Sequence, residues 1–163
     1  MPTKTSREPD ACSLLDTDHR NVKKLFKEYE TLADSRAQSA TKKKRELADR
    51  ICLELTVHAQ VEEEIFYPEL RDAIKDTDLL NEAEVEHKTA KDLIAQIEAG
   101  DENDERFDAK VIVLGEYIDH HVKEERNEIF VKARASKLDL VEMRARLEAR
   151  KEELMAEMSE ATA

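Results

Sequence analysis

Glycine, proline and cysteine are scarce in this chain of 163 residues, and no stretch of it is continuously apolar. Two glycines and three prolines leave few turns for a sheet, while Ala, Leu, Glu, Lys and Arg dominate and favour helices. No segment approaches the ~18 continuous apolar residues of a membrane span. Length and composition together predict one all-α domain with a sizeable single core.

The N-terminus and the two cysteines indicate where such a chain is located. Residues 1–10 are polar, contain two prolines and lack the apolar core of a secretory signal, so they predict a flexible N-terminal arm. Cys12 and Cys52 lie in different segments and form no C-x-x-C pair. Buried, reduced thiols are the simplest interpretation, and a cytoplasmic location follows from it.

Basic residues are outnumbered by acidic ones, 27 against 39, which gives a formal net charge of −12. With this balance no basic face can dominate the electrostatic field, so neither a nucleic acid nor an anionic membrane is expected as a partner. Charged residues of both signs make up 40% of the chain, which predicts a solvated outer face on every helix.

Apolar residues recur at steps of three and four in five segments, which predicts five helices. The first four fall within residues 11–135 and form a four-helix bundle, with helices over 11–33, 42–68, 79–99 and 105–135. Pro68 should kink or end the second helix, with a short extension to Ala73. The fifth helix, over 137–158, belongs to a C-terminal segment, residues 136–163. It either packs on the bundle or mediates association into a homodimer.

Two stretches place a histidine and a glutamate four residues apart on an inward stripe. These are His58 with Glu62, and His121 with Glu125. On a helix this spacing stacks the two side chains on one face, about one turn apart. The sequence after each pair ends in Ile-Phe, and aligned on that dipeptide the second copy is one residue longer.

Two further histidines occupy the inward stripes of the helices that precede these pairs. His19 lies 39 residues before His58, and His87 lies 34 residues before His121. Two helical hairpins, each with a single histidine followed by an H-x-x-x-E pair, would build a metal site in the core with approximate two-fold symmetry. His120 lies about 100° away from the stripe and is a rival to His121.

The residue types narrow the choice of metal. An ionised carboxylate that faces a core needs a charged partner or a metal ion. Imidazoles and carboxylates without thiolate suit iron, manganese or zinc, and six protein ligands exceed the four of a tetrahedral zinc site. Two six-coordinate ions need about twelve bonds, of which four histidines, two bridging glutamates and a bridging oxide or hydroxide supply about ten. The open positions fit water, dioxygen or peroxide and exclude a large substrate.

Over about residues 11–135 the chain resembles the hemerythrin-like family, also called the HHE cation-binding domain. The resemblance lies in Asp18-His19-Arg20, in the stretch from His58 to Pro68, in Glu86-His87-Lys88 and in the stretch from His120 to Glu125. It implies an antiparallel, up-down four-helix bundle around a non-haem di-iron centre. By position, the terminal ligands would be His19, His58, His87 and His121, and the bridging carboxylates would be Glu62 and Glu125.

Roles in that family include oxygen binding, the sensing of oxygen, nitric oxide or iron, peroxide breakdown and iron handling. We therefore expect a di-iron protein that binds or senses dioxygen, nitric oxide or peroxide. The alternatives are peroxide-disproportionating or ferroxidase activity at the same site, and a metal-free helical interaction module that uses the final helix.

The chain departs from the oxygen-carrying members at one position. They have a fifth histidine four residues before the one on the third helix, where this chain has Ala83. Water, Glu84 or a tyrosine is left to fill that coordination position, and the tyrosine candidates are Tyr29, Tyr67 and Tyr117. A more open site favours peroxide or nitric oxide chemistry over reversible oxygen carriage.

Overall fold

Four long helical rods form a bundle, and a further helix packs against it. This computed structural model describes residues 8–35 and 38–161, and all regular structure within those ranges is helical. The α-helices are α1 (Ala11–Ala33), α2 (Gln38–Val61), α3 (Tyr67–Ala73), α4 (Thr77–Ala99), α5 (Phe107–Glu124), α6 (Phe130–Ala135) and α7 (Leu140–Ala161). Two π-helical turns, Glu62–Phe66 and Glu125–Ile129, join α2 to α3 and α5 to α6.

The rods neighbour one another in a closed ring. α1 packs on α2 and α5, and α4 packs on the same two helices, so each rod has two neighbours. The expected antiparallel, up-down bundle with an additional C-terminal helix is therefore confirmed. Residues 1–7 of the predicted arm lie outside the described residues, as do residues 36–37 of the first connector and the last two residues of the chain.

Side-chain caps mark where α1 and α7 begin. The carboxylate of Asp10 accepts a hydrogen bond from the backbone of Ser13, whose hydroxyl accepts one from the backbone of Asp10, so α1 begins where the sequence predicts. α7 begins later than predicted because Asp139, and not Ser136, accepts a hydrogen bond from the backbone of Glu142.

Pro68 does not end the second rod, because a π-helical turn precedes it. The backbone N–H of Tyr67 bonds to the carbonyl of Glu62, five residues back, and α3 then continues to Ala73. In a π turn the regular hydrogen bonds from residue i to residue i−4 are already interrupted. The N–H that proline lacks therefore falls at a position where the helix does not depend on that hydrogen bond. The helical rod therefore continues past Pro68 to Ala73, with a local change of helix type before the proline.

Two apolar clusters fill the bundle, one toward each end. The first includes Leu15, Phe66, Leu80 and Phe130, and it also takes in the buried stripe of α7, which consists of Leu140, Met143, Leu147 and Leu154. The second includes Phe26, Ile51, Ile94 and Leu114. On each of the four rods a histidine falls between residues of the two clusters. The core therefore contains a polar layer at its middle.

Gly115 lies where α5 comes close to α1. A Cβ atom placed on it would lie 2.9 Å from Cδ1 of Phe26, which is closer than carbon atoms can pack. A glycine at this position therefore leaves room for the ring of Phe26 between the two helices.

Cys12 and Cys52 are both buried. None of the helices among residues 8–35 and 38–161 combines the length and apolarity needed to cross a membrane.

Candidate metal centre

The polar layer brings together all six residues that the sequence singles out. Each is buried, with at most 7% of its surface exposed, and the two glutamates are completely inaccessible. They come from four different rods: His19, His58, Glu62, His87, His121 and Glu125.

One half of the layer is built from α1 and α2 with one residue from the opposite hairpin. Nε2 of His19 lies 3.0 Å from Nε2 of His58, which in turn lies 2.9 Å from Oε1 of Glu62. Nε2 of His19 also lies 3.2 Å from Oε1 of Glu125. These four side chains offer ligand atoms that all lie within 4.8 Å of one another.

The other half of the layer uses α4 and α5 in the same way. Nε2 of His87 lies 3.4 Å from Oε1 of Glu62, and Nε2 of His121 lies 3.3 Å from Oε2 of Glu125. Both glutamates therefore belong to both halves. Each group of two histidines and two carboxylates could hold a metal ion.

The two halves are related by an approximate two-fold axis. The rings of His19 and His58 are 4.7 Å apart at 61°, and those of His87 and His121 are 4.9 Å apart at 64°. Each glutamate is also the first residue of its π-helical turn. π-Helical turns are rare and often mark functional sites.

The structural equivalence corrects the alignment made on Ile-Phe. In the first hairpin Phe66 and Tyr67 are buried after the glutamate, and in the second Ile129 and Phe130 are buried at the same distances from theirs. The second copy therefore has no extra residue. Both copies contain a π-helical turn. The correct alignment of the two copies matches buried positions and not identical residues.

The donor atoms fit a cation better than they fit one another. Among the described residues, seven buried side-chain polar atoms lack a hydrogen bond, and all belong to this layer or to a carboxylate touching it. They include both carboxylate oxygens of Glu62 and one of Glu125. Buried polar atoms normally have partners. Adjacent ligands of an octahedral ion with bonds of ~2.1 Å lie ~3.0 Å apart, as the Nε2 atoms of His19 and His58 do.

Each histidine also has a carboxylate at its outer nitrogen, Nδ1. Those beside His58 and His121 lie within hydrogen-bond distance of Nδ1, so they orient these two rings with Nε2 toward the centre and raise the basicity of the imidazoles. Nδ1 of His58 lies 3.1 Å from Asp18, that of His121 3.1 Å from Glu86, that of His87 3.5 Å from Glu63, and that of His19 3.8 Å from Asp16.

Asp18 and Glu86 belong to the stretches that resemble the family, but the sequence alone predicts no role for them. Each directly precedes the single histidine of its hairpin, yet each contacts the histidine of the neighbouring helix. A helical step of about 100° explains this, because it turns the acidic side chain away from its own histidine and toward the next rod. The signal in the sequence that could have indicated these contacts is the acidic residue directly before each single histidine.

Of the candidates for a further ligand, Tyr67 is the one at the centre. Its hydroxyl donates a hydrogen bond of 2.6 Å to Oε2 of Glu125 and lies 3.3 Å from Nε2 of His87. The equivalent residue in the other half is Phe130, whose ring stacks on His19. The two halves therefore differ by one hydroxyl group.

The other candidates are occupied elsewhere. Tyr29 donates to Asp108, and Glu84 is an exposed partner of Arg71. Tyr117 packs against the second apolar cluster. Ala83 is buried in the first cluster.

His120 is a surface residue. It is 67% exposed and pairs with Glu124, whereas His121 faces the centre.

The histidines and carboxylates of the polar layer shift one another's pKa values. Burial disfavours charged imidazoles, but Glu62 and Asp18 outweigh it and raise the pKa of His58 to about 10. In the same way Glu125 and Glu86 raise the pKa of His121 to about 11. Burial opposes ionisation of Glu125, yet His121 and His19 hold its pKa well below the ordinary value. Without a metal, protons on the histidines neutralise the carboxylates.

A pH titration of stability in metal-free protein tests this coupling. His58 and His121 bind protons in the folded chain that they lose near pH 6.5 when unfolded, so their contribution is complete below pH 6.5 and is lost toward pH 10–11. We expect the free energy of unfolding to fall steadily as the pH rises from 7 to 10.

Denaturant unfolding of metal-free protein at several pH values would measure this slope. His120→Ala, which changes an exposed neighbour, should leave the slope intact. Metal-loaded protein should lose the slope, because bound imidazoles carry no proton to release. A flat profile in metal-free protein would show that these histidines are not held charged by the glutamates.

Comparison with known proteins identifies relatives of this arrangement. The family model for the hemerythrin HHE cation-binding domain matches residues 10–133. A DNA nickase from Nostoc sp. strain PCC 7120 is 31% identical over 117 residues, which are 72% of this chain and 31% of that protein. The chain thus spans about a third of the length of this curated relative.

Among solved structures, a hemerythrin HHE cation-binding domain-containing protein from Mycobacterium kansasii, a homologue of Rv2633c, has a similar fold. The TM-score is 0.75 at 20% sequence identity, and the match covers 91% of this chain and 89% of that one.

Proposed function

Because the chain belongs to the hemerythrin HHE cation-binding domain family, we propose that it holds two iron ions in its polar layer and binds or senses a small oxidant there. The ligands are the four central histidines and the two shared glutamates. The oxidant is dioxygen, nitric oxide or peroxide. Iron, when bound, supplies the redox chemistry and the open coordination positions, and the chain supplies geometry, charge and access.

The sharing of both glutamates by both halves is the observation that carries this proposal. A carboxylate has two oxygens, and Glu125 directs one toward His19 and the other toward His121. That arrangement suits a carboxylate bridge between two ions. A ligand set of nitrogen and oxygen without sulfur suits iron. A single tetrahedral zinc would leave two of the six ligands without a metal.

A small apolar cavity adjoins the centre and supports a small ligand. It has a volume of about 30 Å³ and is lined by all four central histidines together with apolar side chains such as Leu55 and Ile94. This volume exceeds the ~10–15 Å³ that a cavity needs in order to hold one water molecule. A diatomic molecule or peroxide therefore fits, and an organic substrate does not.

A groove between α1 and α5 offers a route from the surface. Its volume is about 200 Å³, and His19 is among the residues that line it. The lining also includes five basic side chains and three acidic ones, so no strong field of one sign opposes the entry of an uncharged molecule such as dioxygen or nitric oxide. The basic residues are Arg20, Lys23, Lys27, Lys123 and Arg126, and the acidic residues are Glu30, Glu116 and Asp119.

We do not propose DNA nicking, the activity in the name of the Nostoc relative, for this chain. The chain matches less than a third of that protein, and a net charge of −12 opposes the approach of a polyanion.

Mixing experiments on iron-loaded protein would test the proposal. Anaerobic, ferrous protein should change its optical spectrum on addition of nitric oxide and on exposure to air or peroxide. His58→Ala should abolish these changes, and His120→Ala, which alters an exposed histidine, should not. Identical spectra of wild type and His58→Ala would contradict the assignment of the centre.

Tyr67 favours peroxide disproportionation as the second candidate function. Burial and Glu125 raise its pKa well above the usual value, so its hydroxyl keeps its proton at neutral pH. That proton is directed at Glu125, beside His87. A hydroxyl fixed at this position can donate a hydrogen bond to a peroxide oxygen on which negative charge develops as the O–O bond breaks.

Tyr67→Phe separates this reaction from simple binding. We expect oxygen evolution from peroxide to fall about 100-fold, the lower end of the range for the loss of one hydrogen-bond donor to a developing charge, while iron content and the nitric oxide spectrum stay close to wild type. An oxygen electrode would measure the rate, and Tyr117→Phe provides the matched control. Unchanged oxygen evolution in Tyr67→Phe would exclude this role for the hydroxyl.

A further inference from the structure

The fifth helix reaches the centre through one lysine. Nζ of Lys151, on α7, donates a hydrogen bond to Oδ1 of Asp18 on α1. The other oxygen of that carboxylate, Oδ2, lies 3.1 Å from Nδ1 of His58. Nε2 of the same ring faces Glu62 at 2.9 Å. One unbroken chain of contacts therefore runs from α7, outside the four-rod bundle, to a central histidine.

Two neighbouring cations on α7 bind the bundle without reaching the centre. Arg146 pairs with Glu69 through two hydrogen bonds, and Arg150 pairs with Glu64. Neither Glu64 nor Glu69 contacts a central histidine among the described residues. Lys151 and Arg150 are also equally exposed, at 27% and 29%. They anchor the same turn of the same helix and differ in what their carboxylate partners touch.

Asp18 is the only one of these three acceptors that is buried. Its side chain is 6% exposed, against 39% for Glu64 and 34% for Glu69. A buried carboxylate is shielded little by solvent, so a cation beside it changes its charge and its hydrogen bonds more than the same cation would at the surface.

We propose that Lys151 is a positioning residue of the metal centre, acting through Asp18 on His58, so that α7 tunes the centre as well as covering the core. This inference extends the proposed function. Lys151 fixes the orientation of the carboxylate and draws electron density away from it. Asp18 then accepts a weaker hydrogen bond from His58, and the imidazole donates less strongly to a bound ion.

The sign of the effect follows from charge. Removing Lys151 takes a positive charge from the neighbourhood of the centre and leaves Asp18 a stronger acceptor. Both changes favour the more highly charged, oxidised state of a bound ion, so the reduction potential should fall.

The test compares Lys151→Met with Arg150→Met in iron-loaded protein. Lys151→Met should lower the reduction potential measured by spectroelectrochemistry. Arg150→Met should leave it at the wild-type value, and Lys151→Arg, which keeps the charge, should lie close to wild type. Both methionine variants remove one anchor of α7, and Lys151→Met should lower the unfolding temperature more, because it leaves the buried carboxylate of Asp18 without its cation.

A second readout needs no metal. In metal-free protein, the ¹⁵N resonances of the His58 ring should move in Lys151→Met and stay in place in Arg150→Met. Equal effects of the two variants, on the potential or on these resonances, would overturn the inference and reduce Lys151 to a structural anchor. If wild-type protein bound no iron, the proposed function would fail, and the ring resonances would still decide the role of Lys151.

Discussion

Glu125→Gln is expected to reduce the iron content from about two ions per chain to one or fewer. The amide keeps the size of the side chain and can still accept from Tyr67, but it loses the charge that two cations would share. Substitution of a residue that only hydrogen-bonds to a metal ligand typically lowers the metal affinity ~10–100-fold. The loss of a bridging ligand itself should therefore lower the affinity at least ~100-fold. Elemental analysis and competition with a chelator would measure the loss.

Glu124→Gln is the matched control. It removes one carboxylate from the adjacent residue, which is 39% exposed and pairs with His120, and it should keep both ions. Circular dichroism of the metal-free variants would verify that both still fold. Full iron content in Glu125→Gln would show that this glutamate is not a bridge, however central its position.

Leu147→Ala is expected to destabilise the whole chain by about 2–5 kcal/mol, the range for a leucine truncated in a core. Leu147 is completely buried on α7, within the same cluster as Leu15 and Phe66. Because the contact lies within one chain, the loss should not depend on protein concentration. Denaturant unfolding at two concentrations would measure it.

Val141→Ala provides the control on the same helix, since Val141 is 46% exposed and its truncation should cost under 0.5 kcal/mol. If α7 instead served association between chains, Leu147→Ala would alter the oligomeric state and leave the stability of the monomer nearly unchanged. That outcome would contradict the placement of α7 in the core.

The sequence predicts the bundle well because every rod has a regular apolar stripe. α1 was predicted to the residue, since Asp10 caps it and its stripe has no irregularity. His58 and Glu62 could be paired for the same reason, as their spacing depends on the helix repeat alone. Local regularity is what a single sequence shows most directly.

The features that escaped prediction depend on contacts between rods. The π-helical turns leave no mark in the apolar periodicity, so the alignment on Ile-Phe gives the second repeat an extra residue that the structure does not show. Asp18 and Lys151 are 133 residues apart and meet only in the folded chain. The position of Tyr67 at the centre likewise depends on how two hairpins dock.

Metal analysis of purified wild-type protein, with an optical spectrum of the same sample, tests the central claim most directly. The arrangement of two histidine pairs around two shared glutamates predicts about two irons per chain and a near-ultraviolet charge-transfer band that disappears on reduction. A folded protein that takes up no metal from ferrous solution, or one that holds a single colourless zinc ion, would contradict it.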